Sequence, residues 1–421
     1  MQTQGAVTRV GLFLGIGRNV GGMFQYAQSL LGALSTYPPA KYQIEVAVVG
    51  SAWQEVLAEY PFRIHHIRGG EFGLFMANAF MAAQIPGRLT RALSSVINPV
   101  AWQLRGLRCN LWIFPAQDAL SYQVRERTIG TVHDLMHRYE PRFPEVARGR
   151  RYAIREHRFR NLVEWASGIL VDSEVGRSHV IESYRADMKK VYPLPYISSF
   201  KNSSSTDSPY FTTPVPSKFF LYPAQFWPHK NHAGLVAALA KAKAKCPDIH
   251  LVLSGAHTRE FESVANQVVK LGLREHVSFT GYVSDSDLKA FYKRARALIM
   301  PTFFGPTNIP PLEAMSCGCP AAVSRIYGMP EQLGDAALYF DPYSADEMAS
   351  VLERLWMDDG VCVQLAAKGR QKVSSWGPVQ FAARLQQIID DVACRPGTLP
   401  HLRGTSPDGQ SRVPMSVNSA A

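Results

Sequence analysis

Short apolar segments alternate with helix-like segments along almost the whole chain, and this alternation constrains the fold more than any other feature. The apolar runs have the length of buried strands and fall into two series. The first series comprises residues 10–14, 44–49, 111–115, 129–134, 169–172 and 191–194, and the second comprises 219–223, 251–254, 277–280, 298–300, 321–323 and 338–340. Strands that alternate with helices form parallel sheets covered by helices. The sequence therefore predicts an α/β fold with two doubly wound, Rossmann-like domains.

A chain of 421 residues exceeds what one hydrophobic core usually organises, which also favours two domains. A segment rich in Ser, Thr and Pro separates the two series and is interpreted as a loop and linker. The predicted division is 1–197 for the N-terminal domain, 198–217 for the linker, 218–375 for the C-terminal domain, 376–394 for a last helix and 395–421 for a disordered tail. Ligands of such sheets bind outside the carboxyl ends of the strands, so a cleft between the domains is the expected site.

The chain is basic, with 45 Lys and Arg against 34 Asp and Glu and a formal charge of +11. This charge favours anionic partners such as nucleic acid, acidic lipid surfaces or phosphorylated substrates. The sequence contains neither a zinc finger, nor a basic-region zipper, nor the aromatic signature of an RNA-recognition sheet. We therefore expect no nucleic-acid partner, and a membrane that carries lipid-linked saccharides fits the charge better.

No apolar run approaches the roughly 20 residues that span a bilayer, and the N-terminus lacks a basic segment followed by an apolar signal stretch. We expect the protein to stay in the cytoplasm. The six cysteines are sparse for this length, and the close pair at 317 and 319 lacks the second pair that a zinc site normally shows. Free thiols are predicted.

The strongest candidate ligand-binding residue is a carboxylate, Glu313, which follows a loop rich in Gly and Pro. Pro310 and Pro311 suit the first turn of a short helix, and Gly318 suits its end. A helix start presents free N–H groups and a positive dipole end to an anion, while a carboxylate one turn in can accept two hydroxyl groups of a sugar. This combination suits a nucleotide diphosphate with its ribose.

This segment resembles the family 4 retaining glycosyltransferases, whose usual pattern is Glu-Gly-Phe-Gly-Leu-Pro-x-x-Glu-Ala. Glu313 matches the second glutamate, whereas Gly305 stands where the first glutamate is usual. The resemblance implies the GT-B architecture, with two domains facing across a cleft and the last helix crossing back to the first domain. It also implies that Glu313 binds the donor ribose. Asn308, or backbone amides of residues 305–307, would replace the missing glutamate, and Ile309 is a further donor-binding candidate.

A second cluster lies directly after the first strand-like run of the C-terminal domain. Lys230 can place a positive charge beside a diphosphate, where it stabilises negative charge that develops on the leaving group. The resembled family usually has an arginine at Gln225, so this residue would contact the donor without a charge. Together, Gly305 and Gln225 remove one anion and one cation, which indicates a variant subfamily. His229 and His232 are interpreted as surface or phosphate-contact residues rather than a metal pair.

The N-terminal domain adds two groups of candidates. Gly21 and Gly22 begin a helical segment, where missing side chains let a phosphate or sugar approach the backbone. A tight strand-to-helix turn explains them equally well, but the resembled family has a double glycine here, over the donor. His133 ends a strand-like run, and the resemblance implies that it contacts the donor sugar. Asp134 would orient the loop or the imidazole ring.

Two acidic segments of the C-terminal domain allow more than one interpretation. Glu331 either begins a helix after Pro330 or, by the resemblance, lies near the donor. Asp285 and Asp287 spell an acidic triplet used for metal by another glycosyltransferase fold. Apolar residues at helical spacing follow them, so a helix start is predicted instead.

A basic, apolar stretch at residues 72–108 is a candidate contact with membrane or acceptor. It carries Arg88, Arg91, Arg105 and Arg108 among large apolar residues. Such a face can lie on an anionic bilayer, but a core helix with a solvated basic side has the same pattern. Both interpretations stay open at the level of sequence.

We expect a retaining glycosyltransferase of bacterial surface polysaccharide synthesis, at the inner face of the cytoplasmic membrane. It would move a hexose, with mannose or a deoxyhexose preferred, from a nucleotide diphosphate sugar to a glycan or lipid-linked acceptor. Retention follows from the resemblance alone. Because Lys230 and the helix-start amides would supply positive charge, no metal or other cofactor is expected. The alternatives are a nucleotide-sugar epimerase of the same architecture and a nucleotide-sugar-binding subunit without catalysis.

Overall fold

Two parallel sheets organise the computed structural model, which describes residues 7–17, 21–198, 200 and 215–395. The first sheet has seven strands in the order β3-β2-β1-β4-β5-β6-β7. Its strands are β1 (Thr8–Leu14), β2 (Tyr42–Val48), β3 (Arg63–His66), β4 (Leu111–Ile113), β5 (Thr128–Thr131), β6 (Gly168–Val171) and β7 (Val191–Pro193). The second has six strands in the order β10-β9-β8-β11-β12-β13. These are β8 (Phe220–Pro223), β9 (Leu251–Ser254), β10 (Val277–Gly281), β11 (Ala297–Met300), β12 (Ala321–Ser324) and β13 (Ala337–Phe340).

Helices cover both faces of each sheet. Those of the first half are α1 (Gly22–Leu34), α2 (Gln54–Leu57), α3 (Gly70–Ala82), α4 (Gly87–Ile97), α5 (Pro99–Gly106), α6 (Leu120–Gln123), α7 (Met136–Tyr139), α8 (Pro144–Ala147), α9 (Arg151–Trp165) and α10 (Glu174–Tyr184). Those of the second half are α11 (His232–Ala242), α12 (Phe261–Lys270), α13 (Asp285–Arg294), α14 (Pro310–Ser316), α15 (Met329–Leu333), α16 (Ala345–Met357), α17 (Asp359–Ser375) and α18 (Pro378–Cys394). Short 3₁₀ turns lie at Met188–Lys190, Pro228–Lys230, Arg274–His276 and Gly334–Ala336.

The predicted architecture of two doubly wound α/β domains is confirmed, and every predicted strand-like run overlaps a strand of one sheet or the other. The sequence does not predict β3, which pairs in parallel with β2 at the edge of the first sheet. Its residues, Arg-Ile-His-His, are mostly exposed, so it lacks the apolar character of a buried strand. An edge strand with one pairing partner does not need that character.

The last helix, α18, packs on the N-terminal half of the chain. Phe381, Leu385 and Ile389 belong to the same hydrophobic cluster as residues of β1 and α1. Tyr37, just after α1, donates a hydrogen bond of 2.8 Å to the Ala382 carbonyl. Most of the predicted linker and all of the predicted tail beyond residue 395 lie outside the described residues.

Two smaller predictions are also confirmed. Asp285 and Asp287 lie in the first turn of α13, and Ser284 caps that helix by accepting the Asp287 N–H at 3.1 Å. All six cysteines are free thiols.

Candidate active site

The carboxyl ends of the two sheets face one another, and the loops there bring the predicted donor-binding residues together. Gly21 and Gly22 lead from β1 into α1, and Gly21 has a positive φ of 54° that favours glycine. A β-carbon at Gly22 would lie 3.6 Å from the side chain of Ile309, in the loop before α14. The double glycine and the loop before Glu313 therefore border the same cleft from opposite domains.

Glu313 lies on α14 and is only 2% exposed. One carboxylate oxygen, Oε1, accepts a hydrogen bond of 3.0 Å from the Gln25 amide on α1. The other, Oε2, accepts one of 3.1 Å from the Tyr292 hydroxyl on α13. Burial and the nearby carboxylate raise the pKa of Tyr292, which keeps its hydroxyl a donor. Side chains from both domains therefore hold the Glu313 carboxylate.

The start of α14 offers fewer free amides than the sequence predicts. Pro310 and Pro311 have no N–H group. The N–H groups of Leu312 and Glu313 both bond to the Ile309 carbonyl, at 2.9 and 3.1 Å. The expectation that this helix start presents a set of unpaired amides to a diphosphate is therefore wrong.

The loop before α14 is also held by hydrogen bonds. The Thr307 N–H donates to Asp172 Oδ2 at 2.9 Å, and the Asn308 N–H donates to Gln332 Oε1 at 3.0 Å. Pro306 has no N–H, so within residues 305–307 only Gly305 keeps an amide that these bonds do not use. The Asn308 side chain is engaged too, since its Nδ2 donates to Met329 Sδ at 3.4 Å. Which of the two predicted replacements contacts the donor stays a prediction.

Asn308 explains why residue 305 is a glycine. The φ of Gly305 is +122°, a conformation that side chains rarely adopt. A β-carbon at this position would lie 2.7 Å from Asn308 Nδ2, so the Asn308 amide occupies the space that a residue-305 side chain would need. Position 308 is a glycine in the resembled pattern. Relative to the resembled pattern, this loop therefore carries a side chain at 308 and none at 305.

Lys230 ends a 3₁₀ turn that follows β8, and the Tyr222 hydroxyl holds its carbonyl at 2.9 Å. Burial lowers the pKa of the Lys230 ammonium to about 8, because a low-dielectric environment disfavours the charged form. A bound diphosphate would reverse that effect. Gln225 is exposed nearby, where its side-chain oxygen accepts the Trp227 indole N–H at 2.7 Å.

The two histidines beside Lys230 differ in their surroundings. His229 Nδ1 lies 2.5 Å from Glu145 Oε1 on α8, which makes a contact between the two domains. Burial lowers the pKa of His229, and the Glu145 carboxylate opposes this effect. His232 is buried and stacks on Phe226 with 4.3 Å between ring centroids. The prediction of a surface role is wrong for His232, because its ring belongs to the core.

His133 lies after β5 with both ring nitrogens engaged. Nε2 is 2.8 Å from the Pro115 carbonyl oxygen and must donate to it, because a carbonyl only accepts. Nδ1 therefore accepts from the Tyr196 hydroxyl at 2.7 Å. Burial lowers the pKa of His133, which keeps the ring neutral. Asp134 forms an ion pair with Arg155 and orients the loop rather than the imidazole.

Glu331 lies in the first turn of α15, but its carboxylate reaches the other domain. It accepts hydrogen bonds from the N–H groups of Glu174 at 2.8 Å and Val175 at 3.2 Å, at the start of α10. A carboxylate at a helix N-terminus satisfies unpaired amides and the positive end of the dipole. In this structure Glu331 joins the two domains.

The four arginines predicted for membrane or acceptor contact are divided. Arg88, Arg105 and Arg108 are exposed. Arg91 faces inward, where it donates to the Tyr122 carbonyl at 3.0 Å and lies 4.9 Å from the centroid of the Trp165 ring. Burial lowers its pKa to about 10. The inclusion of Arg91 in a lipid-facing set is therefore wrong.

Sequence reasoning misses several residues that contact the candidates, among them Gln25, Glu145, Asp172, Tyr196, Tyr292 and Gln332. Only Asp172 has a usable signal, because it ends a strand-like run on the ligand-binding edge of the sheet. No three His, Cys, Asp or Glu side chains come together as a metal site in the described parts of the chain. Over the same residues, no helix has the length and apolar character needed to cross a bilayer.

Comparison with known proteins gives consistent matches. The family model for glycosyl transferases group 1 matches residues 206–372. O-antigen chain mannosyltransferase B of Escherichia coli is 31% identical over 294 residues, which cover 66% of this chain and 73% of that protein. O-antigen chain mannosyltransferase RfbU of Salmonella typhimurium is 27% identical over 236 residues, or 55% of this chain and 61% of RfbU.

A solved structure shows the same fold. Anabaena Alr3699/HepE, crystallised with UDP and glucose, superposes with a TM-score of 0.65 over 91% of this chain and 99% of its own. At 14% sequence identity, this structural similarity shows the two-domain GT-B architecture and nothing more specific. The extent of the E. coli match and the family model together decide the assignment. The chain belongs to the group 1 glycosyl transferases and is a glycosyltransferase.

Proposed function

We propose that the enzyme transfers a mannosyl group, with retention of configuration, from a nucleotide diphosphate sugar to a growing O-antigen glycan on a lipid carrier. It is a family 4 member of a variant subfamily in which Gly305 replaces the first glutamate. The single observation that carries the proposal is the buried Glu313 carboxylate at the cleft, with the double glycine opposite its loop. The two mannosyltransferase relatives support mannose as the sugar.

Four side chains of the C-terminal domain contact the donor in this proposal. Glu313 accepts the ribose hydroxyls, and Lys230 binds the diphosphate as an ammonium ion. Gln225 is exposed beside the lysine and donates a neutral hydrogen bond. Asn308 contacts the sugar from the loop that also presents Ile309. Glu331 contributes indirectly, by holding the two domains together.

The transfer step uses electrostatic stabilisation of the leaving group. As the glycosidic bond breaks, negative charge grows on the diphosphate, and Lys230 stabilises it. The acceptor hydroxyl attacks from the face that the diphosphate leaves, and the diphosphate takes the hydroxyl proton. In this proposal His133 Nδ1 accepts from a sugar hydroxyl in place of the Tyr196 hydroxyl, which then donates to another acceptor.

The proposed location is the inner face of the cytoplasmic membrane, with α3, α4 and α5 turned toward it. Large apolar side chains on these helices are exposed to solvent, with Phe72 at 60% and Phe75 at 69%. Arg88, Arg105 and Arg108 add positive charge, which suits anionic lipid headgroups. A β-carbon at Gly15 would lie 3.3 Å from Leu74, so α3 borders the glycine loop of the cleft. A lipid-anchored acceptor would reach the site from this side.

Two measurements test the proposed reaction. Purified enzyme is incubated with lipid-linked O-antigen primer and GDP-mannose, UDP-glucose or a dTDP-deoxyhexose, and the product linkage is read by NMR. We expect α-linked mannose from GDP-mannose only. Thermal unfolding with GDP, UDP or dTDP gives an independent result, since a nucleotide that binds the native state alone raises the melting temperature. Transfer from another donor, or inversion of configuration, would overturn the proposal.

A further inference from the structure

Asp172 is a buried carboxylate of the N-terminal domain that accepts hydrogen bonds from the C-terminal domain. It follows β6 directly and is only 3% exposed. Its Oδ2 accepts the Thr307 N–H at 2.9 Å and the Thr307 hydroxyl at 2.5 Å. Its Oδ1 accepts the Ser173 hydroxyl at 3.0 Å. One side chain therefore holds both hydrogen-bond donors of a single residue across the cleft.

The hydrogen bonds from Thr307 compensate for the burial of the Asp172 carboxylate. Desolvation raises the pKa of Asp172 to about 6, and the hydrogen bonds from Thr307 and Ser173 oppose the rise. A buried carboxylate without partners is strongly unfavourable. Because Thr307 belongs to the other domain, Asp172 is fully paired only when the domains lie together as in this structure.

Thr307 directly precedes Asn308, on the loop before α14 that also contains Gly305. The loop has little room to move on its own, since a β-carbon at Gly328 would lie 2.6 Å from the Pro306 carbonyl and 3.2 Å from Thr307 Cγ2. The Asn308 N–H is fixed by Gln332 at 3.0 Å. Gln332 also donates to the Asn308 carbonyl at 2.8 Å. Two adjacent residues of this loop are therefore held, Thr307 by Asp172 of the facing domain and Asn308 by Gln332 of its own domain.

We propose that Asp172 is a positioning residue for the donor sugar, which acts by holding Thr307 and thereby placing the Asn308 side chain. The loop has lost its carboxylate at position 305, and a carboxylate from the facing domain now fixes its geometry. This inference rests on the proposed function, because it assumes that Asn308 contacts the sugar. Domain closure and the arrangement of the donor-binding loop are thus coupled through one pair of residues.

The test compares hydrogen bonds at the same domain interface. Thr307→Val removes the hydroxyl donor with little change of shape, and Thr307→Ser restores it. Tyr327→Phe is the matched control, because it removes a different hydrogen bond across the same interface, the one that the Tyr327 hydroxyl donates to Glu140 at 2.9 Å. Steady-state kinetics with GDP-mannose and primer give separate KM values for donor and acceptor.

We expect Thr307→Val to raise the donor KM about tenfold, the range of one hydrogen bond to a charged group. In Thr307→Val the acceptor KM should change by no more than about two- to threefold. Thr307→Ser should recover most of the lost donor affinity, and Tyr327→Phe should behave like the wild type. Should Thr307→Val not fold, Asp172→Asn takes its place, since the amide keeps an oxygen for the Thr307 N–H.

Equal effects of Thr307→Val and Tyr327→Phe, or an unchanged donor KM, would overturn the positioning role. That result differs from failure of the proposed function. If the donor or reaction is wrong, the wild-type enzyme itself shows no mannosyl transfer from GDP-mannose.

Discussion

Gln25 on α1 donates a hydrogen bond to Glu313 on α14 across the cleft, with 3.0 Å between the amide nitrogen and Oε1. The Gln25 amide occupies the position from which we expect a ribose hydroxyl to donate to Glu313. Donor binding must therefore replace this bond or share the oxygen with it. We therefore expect Gln25 to compete with the donor for the Glu313 carboxylate.

This relationship predicts opposite effects for the two residues. Glu313→Gln should raise the donor KM by about 10- to 100-fold, because charge-assisted hydrogen bonds are worth roughly 1.5 to 3 kcal/mol. Gln25→Leu removes the competing amide at similar size, so the donor KM should stay level or fall. Kinetics with GDP-mannose and thermal unfolding of both variants check this. A higher donor KM in Gln25→Leu would show that Gln25 itself contacts the donor.

The lowered pKa of Lys230 predicts a loss of activity at alkaline pH. The ammonium form is needed, and the lysine loses its proton as pH rises through a pKa of about 8. We expect kcat/KM, which reports the free enzyme, to fall about tenfold per pH unit above that value. The decrease of kcat should occur at higher pH than the decrease of kcat/KM, because a bound diphosphate favours the charged form of Lys230.

Lys230→Arg separates the charge from other causes of this pH dependence. Arginine stays protonated in this range, so the alkaline limb should disappear even if the rate is lower at every pH. Lys230→Ala should lose up to about two decades of kcat at neutral pH. An alkaline limb that persists in Lys230→Arg would assign the titration to another group.

The contact between Gly305 and Asn308 predicts that the common family pattern cannot be restored by one substitution. Gly305→Glu places a side chain at φ +122° and against Asn308, so it should lower the melting temperature and the activity. The double variant Gly305→Glu/Asn308→Gly removes the steric conflict and should recover part of both. Asn308→Ala alone should reduce donor turnover. Unchanged turnover in Asn308→Ala would reject its role as a donor contact.

The strands were predictable because buried parallel strands carry a strong local signal. Runs such as Leu251–Ser254 are apolar on both faces and cannot be mistaken for solvent-exposed segments. The edge strand Arg63–His66 has no such signal, because its side chains are exposed and its structure depends on pairing with β2. Local sequence predicts burial well and pairing poorly.

The arrangement of the site was predictable only within each domain. The motif around Glu313 indicates a short helix with a carboxylate in its first turn, and α14 has both. The contacts of Asp172 with Thr307 and of Glu331 with the start of α10 join residues 135 and 157 positions apart. Nothing local indicates which loops meet when two domains close. For the same reason, the sequence could not show that the loop amides are already used.

The proposed role of Lys230 predicts that turnover does not need a divalent metal ion. The ammonium supplies positive charge at the diphosphate, which is the contribution a metal ion makes in other phosphate sites. EDTA should leave the initial rate of the purified enzyme unchanged. A loss of rate with EDTA that Mg²⁺ or Mn²⁺ restores would show that the lysine is not sufficient.

The division of the four arginines predicts that lipid binding and stability can be separated. Removing charge at Arg88, Arg105 and Arg108, together with Phe72→Ser and Phe75→Ser, should abolish co-sedimentation with vesicles containing phosphatidylglycerol and leave the melting temperature nearly unchanged. Arg91→Ala should do the opposite, because it loses the Tyr122 carbonyl bond and the Trp165 ring contact. Wild-type binding by the surface variant would reject this face as the membrane contact. Neutral phosphatidylcholine vesicles are the control for the contribution of charge. Equal binding to neutral and anionic vesicles would assign the binding to the apolar residues alone.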